Sequence, residues 1–158
     1  MYKRKRGTAL IDTEKGILVV SGRHKVFMLP GGGADQGESR RKAAMRELKE
    51  ETGMNSIDAE FLFEYVGKSH KSHQGGMFQD HHKVFLIKAN GTPKPQNEVN
   101  YVEYYKEGSN IRITKQTAEI INKYNKIKKQ NKHDQRLKSD DIKQESEPEN
   151  KKPFWKFW

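Results

Sequence analysis

The sequence predicts an α+β domain with a mixed β-sheet, followed by a basic C-terminal tail. Three observations predict it. Short apolar runs at Thr8–Ile11, Ile17–Val20 and Val26–Leu29 lead into a glycine-rich turn and an amphipathic helix. Two strand-like stretches, Glu60–Val66 and His81–Ala89, follow that helix, and a second helical period begins at Thr114. Strands, helix, strands, helix is an α+β order, in which helices cover the apolar face of the sheet. Beyond about Lys128 the helical period fades into Lys, Gln, Asn, Asp and Glu. The domain is therefore placed at residues 1–128 and the tail at 129–158.

Composition supports that division. A chain of 158 residues is one domain by length. With 32% hydrophobic residues, 33% charged residues and a mean hydropathy of −1.07, it is too polar for order along its whole length. Gln130–Lys152 reads as disordered or loosely helical. The sequence has no cysteine, which excludes disulfides, a zinc-thiolate site and a cysteine nucleophile, and fits a reducing compartment. No apolar run approaches the ~18 residues of a membrane span, and the N-terminus lacks a signal-peptide core. A cytoplasmic location is the expectation.

Taken in order, Met1–Arg6 is a basic lead-in. Thr8–Ile11 and Ile17–Val20, joined by the turn-like Asp12–Gly16, read as a hairpin, and Ser21–Lys25 as another turn before a third strand at Val26–Leu29. Pro30 and Gly31–Gly33 then force a turn free of side-chain bulk. Ser39 is placed to cap a helix through Thr52, and Gly53 to end it. Glu60–Val66 alternates as a strand covered on at least one face, with Phe61, Phe63 and Tyr65 together. Gly67–Gln79 reads as a mobile polar rim, with His70 and His73 solvated. His81–Ala89 is a strong strand, Asn90–Pro95 is turn chemistry, and Val99–Tyr105 is a last strand. Thr114 caps the second helix, on which Ala118, Ile121, Tyr124 and Ile127 form a packing face.

The chemistry concentrates on the first helix. At 100° per residue Glu47, Glu50 and Glu51 share one narrow face, while Leu48, Met45 and the Thr52 methyl face the sheet. Like charges three and four residues apart repel unless a cation compensates them. Arg46 can neutralise one, and the remainder suits a hard divalent ion such as Mg²⁺.

From Gly32 through Glu38 to Arg46-Glu47-Leu48-Lys49-Glu50-Glu51-Thr52-Gly53-Met54, the pattern resembles the complete signature of the Nudix hydrolase family. The resemblance implies an α/β/α sandwich, and hydrolysis of a nucleoside diphosphate linked to another group by in-line attack of water with Mg²⁺, or Mn²⁺ as a substitute. Candidate substrates are a nucleoside triphosphate, a dinucleoside polyphosphate, a nucleotide sugar or an RNA 5′ end. By position it implies Glu50 and Glu51 as metal ligands, Glu47 as ligand or water-activating base, Glu38 as ligand or brace, and a carbonyl of Gly32 or Gly33 as a further donor. Arg46 is then an orienting bridge. Arg23, Gly33 and Glu98 are candidates at the substrate, and the resemblance also allows Glu98, or more weakly Glu103, as a further base or metal ligand. An alternative is a catalytically silent Nudix-like module that binds a nucleotide or RNA.

Other signals are weaker. His81 and His82 beside Asp80 permit a His/Asp metal site, but two strand neighbours face opposite sides, so half-buried histidines are expected. Phe27, Phe61, Phe63 and Tyr65 read as core, one of them available to stack on a base. From Asn122 to Trp158 there are eleven Lys/Arg against six Asp/Glu, half of the net charge of +10. That excess can hold RNA or another polyanion. Alternatively Phe154, Trp155, Phe157 and Trp158, interleaved with Lys151, Lys152 and Lys156, can sit at an anionic membrane surface or a partner protein.

Overall fold

A computed structural model describes residues 1–145. The aromatic cluster at Phe154, Trp155, Phe157 and Trp158, with Lys151, Lys152 and Lys156, lies outside the described residues. The chain divides into two compact units, residues 1–120 and the part from residue 121 onward. Among the described residues there are eight strands and two helices.

The first unit holds a five-stranded sheet made of β1 (Tyr2–Leu10), β4 (Gly31–Gly33), β5 (Asn55–Val66), β6 (His70–Lys71) and β7 (Met77–Asn90). Its order is β4-β1-β7-β5, with β6 paired to β7. β1 runs parallel to β7 while the other pairings are antiparallel, so the sheet is mixed and the α+β class predicted from the sequence holds. A second sheet, β2-β3-β8, joins Asp12–Thr13, Gly16–Ser21 and Tyr101–Tyr105.

Several strand expectations are corrected. The hairpin expected of Thr8–Ile11 and Ile17–Val20 closes only near its turn, where β2 pairs antiparallel with Gly16–Ile17 and Leu18 N–H donates to the Ile11 carbonyl at 3.0 Å, while Thr8–Leu10 belong to β1 in the other sheet. Met1–Arg6 is no lead-in. β7 supplies partners for the backbone from Tyr2 onward, so Lys3 and Lys5 stand exposed on one face and Arg4 and Arg6 half-buried on the other. Val26–Leu29 is reduced to two isolated bridges, Val20 with Met28 and Phe27 with Ile113. Gly31–Gly33 is itself a strand against Arg6–Thr8. Phe61 is half exposed at 52%, because the pairing slips between Phe61 and Phe63 and turns the two rings apart.

Helix α1 (Arg40–Thr52) forms where its caps direct. The Ser39 hydroxyl accepts from Lys42 N–H, and Gly53, at φ 74°, donates to the Lys49 carbonyl. Ala44 and Leu48 pack into a core with Ala9, Ile11, Leu18, Met54, Ala59, Phe85 and Ile87, with Met45 at its margin. Burying Leu48 alone contributes about 2 kcal/mol. The helix meets the sheet at Gly7, where a Cβ would lie 2.0 Å from the Arg40 carbonyl oxygen and 2.7 Å from Ala44 N. Its strand neighbour Thr8 points to the opposite face. There the first residues of helix α2 (Lys115–Glu145) lie, with Gln116 hydrogen-bonded to His82. Up to residue 120 the sheet therefore has a helix on each face, the layering the resemblance implies.

In the second unit α2 continues without a break through residue 128 to Glu145. Ile121 and Tyr124 are buried, whereas Leu137 and Ile142 are 51% and 67% exposed. The Lys128 ammonium lies over the Tyr124 ring at 5.9 Å. No glycine or proline interrupts 115–145, and the described part of Gln130–Lys152 is helical. Among the described residues no helix is long and apolar enough to cross a membrane.

Candidate functional site

The carboxylates of α1 are held between the helix and strand β4. Gly32 lies flat on Glu47, so closely that a Cβ there would stand 2.4 Å from Glu47 Oε1. One turn on, Glu51 is 6% exposed and accepts from Gly31 N–H at 3.3 Å. Glu38 enters from the loop before the helix, where its Oε1 accepts from Asp35 N–H. Arg46 ties the group together. Its Nε and Nη2 each reach the Glu38 carboxylate at 2.9 Å, Nη1 reaches Glu47 at 3.0 Å and Glu50 at 3.2 Å, and Nη2 also donates to the Gly33 carbonyl at 3.1 Å. The fork–fork pair with Glu38 is the bidentate geometry that favours arginine over lysine.

The charges separate into two environments. Hydrogen bonds from Arg46 and from the Asp35 backbone hold the Glu38 carboxyl at about 2. Glu51 moves the other way. Burial pushes it up to about 8, against the help of Gly31 N–H, and the neighbouring Glu47 carboxyl, in hydrogen-bond contact, and the Glu98 charge push it further. A loop supplies that last charge. Lys94 N–H, Gln96 N–H and the Asn97 amide donate to the carbonyls of Thr52, Glu51 and Glu50, at 2.9, 3.1 and 2.7 Å. These bonds satisfy the orphan carbonyls at the end of α1 and fix Glu98 beside the carboxylates.

A divalent cation fits this donor set. It consists of oxygen ligands alone, and its buried member is driven toward its neutral form in the absence of positive charge. Glu47, Glu50, Glu51, Glu38 and the Gly32 carbonyl are the groups able to hold it. Among the described residues no three His, Cys, Asp or Glu side chains stand together as a ready metal cage, since Arg46 draws Glu38, Glu47 and Glu50 to itself.

A model of the NUDIX domain matches residues 1–122. The chain belongs to the NUDIX family. It is similar to a Nudix hydrolase family member from Chromobacterium violaceum, with 33% identity, a TM-score of 0.64, and coverage of 78% of this chain and 77% of that one. A MutT NUDIX hydrolase from Burkholderia pseudomallei shares the fold at 20% identity and a TM-score of 0.59, covering 75% of this chain and 95% of that one. Nudix hydrolase 27, chloroplastic, of Arabidopsis thaliana is 43% identical over 65 residues, 40% of this chain. The match spans 28% of that relative's own length.

Of the positions the Nudix signature points to outside the box, Glu98 is brought to the carboxylates and Arg23 is not. Arg23 lies exposed in the turn after β3, with no hydrogen bond or ion pair to them among the described residues. The Asp80, His81, His82 run forms no metal site among the described residues. Asp80 takes a bidentate pair from Arg4 at 2.6 and 2.9 Å, and His81 meets Gln79 at 3.1 Å. His82 is buried between Thr8, 2.8 Å from its Nδ1, and the Gln116 amide.

These residues open onto a cavity that sequence reasoning missed. It measures about 260 Å³ and is lined by Arg4, Arg6, Thr8, Asp80, His82 and Gln116, with Met28, Leu29 and Ile120 as its apolar wall. Gly31, whose N–H serves Glu51, belongs to the same lining. The signal was present as period-2 alternation in Lys3–Arg6, concealed because both faces carry charge.

Proposed function

We propose that this Nudix protein hydrolyses a phosphoanhydride bond in a nucleoside diphosphate linked to another group, with Mg²⁺ as cofactor and Mn²⁺ as substitute. The observation that carries the reading is the buried Glu51 carboxyl. It sits against Glu47 and the Gly31–Gly33 strand, in a site whose electrostatics call for a cation. In this reading Glu47, Glu50 and Glu51, with Glu38 and the Gly32 carbonyl, hold the metal. Bound Mg²⁺ supplies charge neutralisation for the phosphates and a lowered pKa for water.

The chain's own residues do the remainder. As water attacks phosphorus, its oxygen forms the new P–O bond, the bridging P–O bond breaks, and Glu47 accepts the water's proton. Arg46 holds Glu38, Glu47 and Glu50 in place, so that attack meets a preorganised site. Gly33 leaves open space for a phosphate to approach β4, Glu98 acts at the edge of the carboxylates, and Arg23, which makes no contact with them, is assigned to the outer part of the substrate.

The test is a hydrolysis screen over oxidised and normal nucleoside triphosphates, dinucleoside polyphosphates, ADP-ribose and 5′-triphosphorylated RNA, with Mg²⁺ and with Mn²⁺. Metal-dependent release of phosphate, pyrophosphate or nucleoside monophosphate is expected. Binding without product across the panel, with both metals, would make the chain a silent nucleotide-binding module instead.

The reading also keeps the domain at 1–128, the tail at 129–158 as a contact for RNA or an anionic membrane surface, and a cytoplasmic location. Truncation after Lys128 is expected to leave small-nucleotide hydrolysis within about twofold of the full chain. The same truncation should lower affinity for RNA or anionic vesicles, steeply at low salt. Unchanged binding to both would end the tail's role.

A further inference from the structure

Charges around the cavity do not cancel. Arg4 is paired with Asp80 through two hydrogen bonds, so that pair contributes no net charge. His82 is neutral at pH 7, because burial and the Arg6 charge bring it down to about 4. Its Nδ1–H then serves Thr8, and its Nε2 accepts from Gln116. Arg6 remains. It is half-buried and lines the cavity, and among the described residues no carboxylate or other acceptor lies within hydrogen-bond reach of its guanidinium. A half-buried guanidinium that makes no hydrogen bond, and feels only the Asp80 charge already paired with Arg4, is an incomplete arrangement that an anion completes.

Its location gives the anion a meaning. Arg6 pairs with His82 on one side and with Gly33 on the other, so it stands beside the glycine strand whose other face carries the Glu47 contact. An adjoining cavity of about 240 Å³ shares Thr114 and Gln116 with the first and adds Lys68, Lys115 and Glu119. With two lysines against one carboxylate, the lining there keeps a net positive charge.

We propose that Arg6 is a substrate-recognition residue whose guanidinium holds a phosphate of the substrate outside the bond that is cut. The preferred substrate class then carries anionic charge beyond the scissile diphosphate, rather than an uncharged group read by shape. This rests on the hydrolase reading of the glutamate site.

The test is titration calorimetry in buffer stripped of divalent cations, with inorganic tripolyphosphate and the uncharged nucleoside adenosine as probes. Wild type, Arg6→Gln, Arg6→Lys, Glu51→Gln and Lys5→Gln are compared, Lys5 lying on the opposite face of the same strand. Arg6→Gln is expected to weaken tripolyphosphate binding at least about tenfold, and Arg6→Lys to recover part of the loss. Lys5→Gln should stay within about twofold, and adenosine binding should not respond to Arg6.

Equal binding of tripolyphosphate by wild type and Arg6→Gln overturns the proposal, as does an equal loss in Lys5→Gln or an adenosine affinity that depends on Arg6. Should Arg6→Gln melt early, Arg6→Lys decides, because it keeps the charge and loses the fork. Affinity equal to wild type overturns the proposal, and weakening with an unchanged melting temperature supports it. The two readings fail separately. Weakened tripolyphosphate binding in Arg6→Gln, found together with a wild type that hydrolyses nothing, removes only the hydrolase, and Glu51→Gln should lose hydrolysis while retaining tripolyphosphate.

Discussion

Glu51→Gln is expected to hydrolyse nucleotide substrates at least about a thousandfold more slowly than wild type, the loss of roughly 4 kcal/mol of metal-assisted stabilisation. The amide that replaces the carboxylate keeps its size and the bond from Gly31 N–H but carries no charge for a cation. The same substitution should alter stability in a way that loss of a surface glutamate would not. In the folded, metal-free chain the Glu51 carboxyl is pushed up to about 8, from an ordinary value of 4.5. Between those values the folded state binds a proton that the unfolded state has released. Stability from this group is complete below about pH 4.5 and declines as pH rises through 8, by up to about 5 kcal/mol in all.

Metal-free wild type should therefore melt progressively lower from pH 5 to pH 9, and Glu51→Gln should not follow it down. Mg²⁺ should raise the melting temperature of wild type at pH 8 and leave the variant's unchanged. Thermal melts with and without Mg²⁺, beside initial rates, measure both. Full activity in Glu51→Gln, or a wild-type melting temperature flat across that range, would remove Glu51 from the site.

Gly7→Ala is expected to be the most destabilising small substitution in the domain. The new methyl would be built 2.0 Å from the Arg40 carbonyl oxygen and 2.7 Å from Ala44 N, both backbone atoms of α1. No side chain can rotate aside, so the helix must lift from the sheet and loosen Ala44 and Leu48 in the core. A cost of at least about 3 kcal/mol follows, a large share of the 5–15 kcal/mol typical of a whole domain. The melting temperature should fall by roughly 10 °C or more, and activity with it, because the same helix carries Glu47, Glu50 and Glu51. Gly33→Ala is the contrast. Its Cβ would meet nothing within 4 Å, and its melting temperature should stay within about 2 °C of wild type. A Gly7→Ala protein melting as high as Gly33→Ala would show that α1 does not pack this tightly on β1.

Gly7 illustrates what a linear reading passes over. In sequence it follows Arg6 as one more small residue, and its importance comes from a helix more than thirty positions later. The glycines of the box read as a turn because they are consecutive. Their pairing with Arg6–Thr8 depends on a strand that itself reads, in sequence, as a basic terminus. The expected hairpin closes only at its turn end for a related reason. Nearness in sequence favours Thr8–Ile11 with Ile17–Val20, but parallel pairing with β7 satisfies the whole of β1, some seventy positions away.

Helix α1, by contrast, was legible almost to the residue. Its signals are local: Ser39 and Gly53 at its ends, Leu48 and Ala44 on one arc, Glu47, Glu50 and Glu51 on another. Angles of 100° per residue place those arcs without reference to the remainder of the chain. The same periodicity could not say which carboxylate would be buried. Glu51 is distinguished from Glu50 by β4 and by the loop that binds the last carbonyls of the helix, and both arrive from elsewhere in the chain.

Caps, periodicity and motif spacing are properties of neighbouring residues, so the class of fold, the helix that carries the glutamates and the Nudix signature written on it follow from the linear chain. Three further features exist only in the folded molecule. Glu51 is the buried member, Arg46 gathers Glu38, Glu47 and Glu50, and Arg4 is neutralised by Asp80 while Arg6 is left facing a cavity. Burial and charge compensation depend on which strands become neighbours, and long-range pairing of β1 with β7 settles that question only once the chain has folded.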